Sequence, residues 1–200
     1  MSTSVWKPTR AFLRHIEWHA MMIRERAGVD PLEPLNARAL AGKLRLQIIR
    51  YEEIEGLPLA LHQALMMVDA REWSGMGKEL PSGELLVALN PNMTVEREAV
   101  TIMEEVAHAH YGHQPADLTL IALGFTRRAY SENDEREAFW TAGAALLPSK
   151  AVGLATYRGE SAADLAVAYD VSVELAEMRM KTLRLWSHAT RDSLPTLRVN

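Results

Sequence analysis

Residues 94–110 read TVEREAVTIMEEVAHAH, a segment in which apolar side chains recur at helical spacing among charged ones. This pattern predicts a long amphipathic helix that begins at Thr94. We expect the helix to run to about His110, with Gly112 as its stop signal and Pro115 beyond it. Its predicted apolar stripe comprises Val95, Ala99, Ile102, Met103, Val106 and Ala107.

The same helix carries two side chains that could bind one cation. Glu104 and His108 are four residues apart and project from the same face, while Glu105 stands beside them. This is the arrangement of the metalloprotease motif His-Glu-x-x-His, with glutamate at the first ligand position, and a carboxylate is an acceptable zinc ligand. The alternative is an ordinary solvated helix face. Both glutamates lie next to the apolar stripe, however, which is an unfavourable place for unpaired carboxylates.

A third ligand has to come from elsewhere, because a catalytic zinc ion usually takes three protein ligands and leaves one position for water. The best candidate is Glu135, in a helix predicted over residues 131–147. It precedes Ala138 and Ala142 on one helical face, where small side chains would let the two helices approach closely. Glu137 points to a different face of that helix.

Two further histidines leave alternatives open. His110 and His113 lie near the end of the first helix, where the helix dipole favours histidine, so capping or a loop contact is one role. Either residue could instead be a metal ligand or an oxyanion donor. His15, His19 and His62 have no partner pattern and are assigned no role.

The composition excludes several kinds of site and partner. A formal net charge of -4 and a pI near 6.0 argue against broad attraction to nucleic acid or to an anionic membrane surface. Because the chain has no cysteine, any metal must be held by nitrogen and oxygen. The first ten residues lack the apolar core of a signal peptide, and no apolar run is long enough to span a bilayer. We therefore expect a cytoplasmic protein without a membrane partner.

The length of 200 residues and the hydrophobic content of 48% predict one domain over residues 1–200. We expect an N-terminal helix in residues 1–34, a core in 35–150 and a C-terminal helical segment in 151–200. The local patterns predict further helices over 6–26, 36–44, 57–67, 162–169 and 173–185, strands over 46–51 and 84–89, turns at 74–77 and 81–83, and a loop through Gly124.

A series of short motifs resembles the ImmA/IrrE metallo-endopeptidases, in a branch that carries Met-Glu-Glu-x-x-His. The first group comprises EWSG (72–75), LPSG (80–83), LNP (89–91), TIMEEVAH (101–108) and GHQP (112–115). The second comprises EREAF (135–139) and GAALLP (143–148), and residues 164–179 resemble the family's C-terminal helical part. The resemblance covers roughly residues 35–186. Several motifs in the correct order make coincidence a poor explanation.

This resemblance implies an α+β, zincin-like metallopeptidase fold. It would be mainly helical, with a small antiparallel sheet packed on the metal-site helix and a C-terminal segment like a helix-turn-helix. The implied activity is cleavage of a protein substrate, a helix-turn-helix transcriptional repressor. Substrate, fold and activity are all expectations carried over from the family.

The resemblance also implies roles for individual residues. Glu105 would be the general base, and the position of Glu135 matches the family's third metal ligand. With Glu104 in place of histidine, the cofactor would be zinc or, given the additional carboxylate, manganese or iron. Tyr130 and His113 are the candidates for oxyanion or substrate contacts.

Two other functions remain open. The replaced ligand would suit a catalytically weak or inactive regulator that binds a repressor or a stress-response partner. Direct DNA binding through the C-terminal helices is the other, since Arg179, Lys181 and Arg184 make the second of them locally basic. The overall acidity of the chain argues against nucleic-acid binding.

Overall fold

The protein is described by a computed structural model that covers residues 7–50, 74–115, 117–122 and 125–183. The helices in these ranges are α1 (Arg10–Ala27), α2 (Ala37–Lys43), α3 (Val95–Tyr111), α4 (Glu132–Leu146), α5 (Ser149–Tyr157), α6 (Ala162–Tyr169) and α7 (Val173–Thr182). The strands are β1 (Leu46–Arg50), β2 (Gly75–Glu79), β3 (Leu85–Leu89), β4 (Asp117–Ala122) and β5 (Phe125–Ala129). The helix predicted over 57–67 lies outside the described residues.

The described chain is thus mainly helical with one small sheet, as the α+β prediction required. The strand order is β1-β3-β2-β5-β4. The prediction of an antiparallel sheet is wrong for one edge, because β1 pairs with β3 in parallel register, from Leu46 opposite Leu85 to Arg50 opposite Leu89. The pairs β2–β3, β2–β5 and β4–β5 are antiparallel. Since β1 lies beside β3 and not beside β2, no hairpin fixes its direction.

Four elements differ from the sequence predictions. Residues 74–77 were predicted as a turn, but Gly75–Glu79 form β2, which pairs with a strand on each side. Those backbone hydrogen bonds outweigh the low strand propensity of glycine. The predicted loop through Gly124 contains β4 and β5, and the chain forms a further helix, α5, directly after Pro148. Proline ends α4 as predicted, yet it is also well suited to the start of the next helix.

The helix that carries the Glu-Glu-x-x-His motif forms as predicted. The side chain of Thr94 accepts a hydrogen bond from the backbone N–H of Arg97 at 3.3 Å, which caps the N-terminus of α3. Gly112 follows the helix in the left-handed conformation, with φ of 71°, where glycine avoids the steric cost of a Cβ atom. The cap of α4 is Ser131, whose side chain accepts from the N–H of Asp134 at 3.2 Å.

Helix α4 packs between α1, α3 and α7. Its residues Ala138 and Ala142 are completely buried, in agreement with the prediction that small side chains let α4 approach α3. Two buried arginines bind the C-terminal end of α4. Arg24 donates to the carbonyl oxygen of Ala145 at 2.6 Å, and Arg179 donates through Nε to that of Leu147 at 2.9 Å. Because the helix C-terminus carries partial negative charge, both cations stabilise it.

Helices α6 and α7 are connected by residues 170–172, so the predicted helix pair is present. The DNA-contact role suggested for Arg179 is wrong, because this side chain is completely buried and pairs with Glu17 of α1. Lys181 is exposed and pairs with Glu177 at 2.8 Å. Arg184 lies outside the described residues. Within the described part of α7, one basic side chain therefore packs inside the protein and the other lies at the surface.

Candidate metal centre

Helices α3 and α4 bring two of the predicted ligands together. His108 is buried in the C-terminal half of α3, with a relative exposure of 4%, and Glu135 lies in the first turn of α4. The Nε2 atom of His108 is 3.8 Å from Oε2 of Glu135. Glu135 Oε1 also accepts from the backbone N–H of Tyr130 at 3.4 Å. The two helices thus place an imidazole nitrogen opposite a carboxylate.

The surroundings of Glu104 shift the pKa of its carboxyl group. Burial first, and then the charges of Glu135 and Glu105, raise the pKa of this carboxyl group to about 7, with Arg97 partly opposing them. In contrast, the adjacent His108 side chain lowers the pKa of Glu135. Glu104 therefore experiences the negative charge of both Glu135 and Glu105. This part of the molecule concentrates negative charge where burial makes it costly.

The donor set suits a divalent cation in kind. Carboxylate oxygen and neutral imidazole nitrogen are ligands for zinc and for harder cations such as manganese. A cation between Glu104 and Glu135 would also neutralise their mutual repulsion. Within the described ranges, no group of three His, Asp or Glu side chains already meets the geometric requirement for a metal site. His108 and Glu135 are 3.8 Å apart, and binding one cation together with Glu104 would require the three side chains to close further.

Tyr130 packs directly against His108. The two rings are stacked with their centroids 3.6 Å apart and an angle of 14° between their planes. The ring of Tyr130 covers one face of the imidazole, and the backbone N–H of Tyr130 donates to Oε1 of Glu135. Tyr130 therefore contacts both His108 and Glu135, and its role as an oxyanion or substrate contact stays a prediction.

His113 lies on the opposite edge of His108 from Glu135. Its Nδ1 atom is 2.9 Å from Nδ1 of His108, and its Nε2 atom is 3.1 Å from Oε2 of Glu137. The side chain is only 7% exposed and stacks on Tyr111, with centroids 5.1 Å apart and planes 7° apart. Because both ring nitrogens are engaged, a direct substrate contact would require one of these bonds to break.

The network continues to α1 through His15 and His19, which were assigned no role from the sequence. His15 Nε2 is 2.6 Å from Oε1 of Glu137, and His19 Nδ1 is 2.9 Å from Nε2 of His110. Burial lowers the pKa of His110 to about 4, with Arg26 and His19 adding to the effect. The spacing of His15 and His19, four residues apart, could have shown that they share a helix face. It could not have shown what that face packs against.

A cavity of about 430 Å³ adjoins the candidate site and is lined in part by Glu104. It lies between α3, α4 and α7. Much of its wall is apolar, and its lining includes Val100, Phe139, Leu175 and Met178 together with Arg97. Such a concave, mainly apolar surface beside titratable groups has the general character of a ligand-binding site.

Comparison of the sequence with known protein families gave a match. Residues 65–181 match the family model Peptidase_M78, described as the IrrE N-terminal-like domain, and the match includes α3, α4 and the cavity between them. A search of curated proteins gave no match. In the described part of the chain, every helix is too short or too polar to cross a membrane.

Proposed function

We propose that this chain, which belongs to the IrrE N-terminal-like peptidase family, is a metal-dependent endopeptidase whose centre is formed by Glu104, His108 and Glu135. The observation that carries the proposal is the approach of His108 Nε2 to Glu135 Oε2, at 3.8 Å, across two helices matched by the family model. The charge interaction of Glu104 with Glu135 supports its inclusion in the same centre.

The proposed ligands are two carboxylates and one imidazole, which suit zinc and also manganese or iron. When bound, the cation would polarise the scissile carbonyl and make the attacking water more acidic. Glu105, adjacent in sequence to Glu104, would accept the proton from that water and later deliver it to the leaving amine. Glu105 would thus perform both proton transfers, which requires its carboxylate to reach the attacking water and the leaving amine.

Tyr130 is the proposed contact for the developing oxyanion, because it already lies against His108 at the site. For His113 the geometry favours a role behind the ligand over a direct contact with substrate, since its ring bonds to His108 and Glu137. The cavity beside Glu104 would receive an apolar side chain of the substrate, given the character of its wall.

The proposed substrate is a protein, specifically a helix-turn-helix transcriptional repressor. This choice follows from the family resemblance, and the apolar cavity is compatible with a protein substrate. Cleavage of a repressor would make the chain a regulator of transcription without requiring that it contact DNA. The buried position of Arg179 agrees with that arrangement.

A non-catalytic regulator is the second candidate, favoured by the glutamate at position 104. An additional carboxylate makes a bound cation less electrophilic, so the scaffold could bind a repressor without cleaving it. Substitution of the proposed base separates the two functions. If the chain is a peptidase, Glu105→Gln should abolish cleavage. If wild type cleaves no partner and Glu105→Gln binds the partner as tightly as wild type does, the regulator is supported.

The first test is the metal content of the purified protein, measured by elemental analysis after loading with zinc or manganese. The double variant His108→Ala, Glu135→Ala is the comparison, and Glu132→Gln is the matched control, because Glu132 is an exposed carboxylate on the same helix. We expect near-stoichiometric metal in wild type and control, and loss in the double variant. Absence of metal from all three proteins would contradict the proposed centre.

A further inference from the structure

We propose that Glu137 and His113 act together as positioning residues that hold His108 in the tautomer protonated at Nδ1, so that its Nε2 lone pair faces Glu135. This inference rests on the proposed metal centre for its functional meaning. The hydrogen bonds that support the inference join protein side chains and do not depend on a bound metal. His113 would therefore act through His108 and not on the substrate.

The direction of the hydrogen bonds follows from the chemistry of the three groups. An ionised carboxylate only accepts, so His113 must donate to Glu137 through Nε2, across 3.1 Å. A neutral imidazole that donates at Nε2 accepts at Nδ1. The Nδ1 atom of His108, 2.9 Å away, is then the donor, and its Nε2 atom carries no proton. Oε2 of Glu135 is 3.8 Å from Nε2, which is beyond hydrogen-bonding distance, so it does not hold a proton there.

The opposite arrangement requires His113 to carry a positive charge. Both of its nitrogens would then donate, and the proton of His108 would move to Nε2, which is the side of the ring that faces Glu135. In the proposed arrangement both nitrogens of His113, which is only 7% exposed and lies flat against Tyr111, are satisfied while both imidazoles stay neutral.

The participating groups are held firmly in place. The second oxygen of Glu137 is occupied by His15 of α1, at 2.6 Å, so this carboxylate is fixed from two sides. Tyr111 stacks on His113, and Tyr130 stacks on His108. Outer partners that orient a ligating imidazole in this way typically contribute a factor of about 10 to 100 to metal affinity.

Two carboxylates of α4 therefore serve the same imidazole from opposite edges. Glu135 faces Nε2 directly at 3.8 Å, and Glu137 reaches Nδ1 through His113. The spacing of two residues on α4 directs the carboxylates to different faces of the helix. From the sequence alone, this difference in direction suggested that Glu137 lies away from the site. In the structure, the same difference allows Glu137 to reach the Nδ1 edge of His108 through His113.

The test combines a direct measurement of the tautomer with metal affinity. In metal-free wild-type protein labelled with nitrogen-15, we expect the ring-nitrogen shifts of His108 to show a proton on Nδ1 and none on Nε2. In Glu137→Gln and His113→Leu we expect a mixture of tautomers. Zinc affinity, measured by competition with a chromophoric chelator, should fall by about 10- to 100-fold in both variants.

Two further variants exclude a merely structural effect. In His113→Asn, the amide oxygen occupies nearly the place of Nδ1 and can accept from His108, so we expect the Nδ1–H tautomer and most of the zinc affinity to be retained. Glu132→Gln removes an exposed carboxylate from the same helix and should change neither readout. Circular dichroism establishes that each variant is folded before it is compared.

The outcomes separate this inference from the proposed function. A proton on Nε2 of His108 in wild type would overturn the inference, and so would unchanged zinc affinity in both Glu137→Gln and His113→Leu. If wild type binds no zinc or manganese while His108 carries its proton on Nδ1, the metal centre fails and the tautomer assignment holds. Both results can be obtained from the same labelled protein.

Discussion

The ring of Tyr130 lies against the ring of His108, with 3.6 Å between their centroids and 14° between their planes. Tyr130 precedes α4 and His108 belongs to α3, so the stack joins the two helices that carry the proposed ligands. Since it restrains the imidazole from one face, it should matter for metal binding separately from any role of the hydroxyl group in catalysis.

Two substitutions at Tyr130 distinguish these roles. Tyr130→Phe keeps the stacked ring and should retain zinc affinity while lowering the peptidase rate, because only the hydroxyl group could stabilise an oxyanion. Tyr130→Ala removes the ring and should weaken both. Zinc affinity and cleavage of an internally quenched peptide library are the two measurements. Equal loss of zinc affinity in both variants would contradict a role for the stack.

Substitution of Glu104 should have opposite effects on stability and binding. Glu104→Gln removes the repulsion by Glu135 and Glu105 that helps to raise its pKa to about 7, so the metal-free variant should melt at a higher temperature at pH 8. The same change removes a charged ligand and should weaken zinc binding. Thermal unfolding with chelator present and chelator competition measure the two effects. A variant that is less stable without metal would argue against this interpretation.

Arg179 should be among the most sensitive positions outside the candidate site. Arg179→Ala leaves Glu17 and the carbonyl group of Leu147 without a buried partner, which should lower the free energy of unfolding by about 3 to 5 kcal/mol. Lys181→Ala, on the same helix but in an exposed pair with Glu177, should cost less than about 1 kcal/mol. Urea denaturation compares them. Similar losses in the two variants would mean that burial does not govern the contribution.

The start of α6 should show a pH-dependent contribution to stability. Hydrogen bonds from the Ser161 side chain and backbone lower the pKa of Asp164 below its ordinary value of 3.8. The folded state therefore favours the ionised carboxylate. Its stabilising contribution is present above pH 3.8 and is lost as the pH falls through the lowered value.

Melting temperatures of wild type and Asp164→Ala test this prediction. The variant should melt lower at pH 7, and the difference should shrink on acidification below pH 3.8, since protonated Asp164 no longer accepts as well as the carboxylate does. Glu177→Ala serves as a control in an exposed helical pair. A difference that stays constant over the whole range would show that ionisation of Asp164 contributes nothing.

Features governed by neighbouring residues could be predicted from the sequence. The shared face of Glu104 and His108, the cap at Thr94 and the stop at Gly112 depend on helical rotation and on backbone groups a few residues away. The same local order made the family motifs recognisable, and the family match over residues 65–181 confirms the resemblance. Glycine-rich β2 was missed because its strand is stabilised by partners from other segments.

The chain by itself therefore determined which helix carries the Glu-Glu-x-x-His motif and which donor atoms that motif offers, because both are set by residue identity and helical spacing. Only the tertiary structure decided how Glu135 meets His108, how Tyr130 and His113 hold it, and that Glu137 bonds to His15, 122 residues away. These contacts depend on the packing of separate helices, and no local periodicity specifies the distance between them.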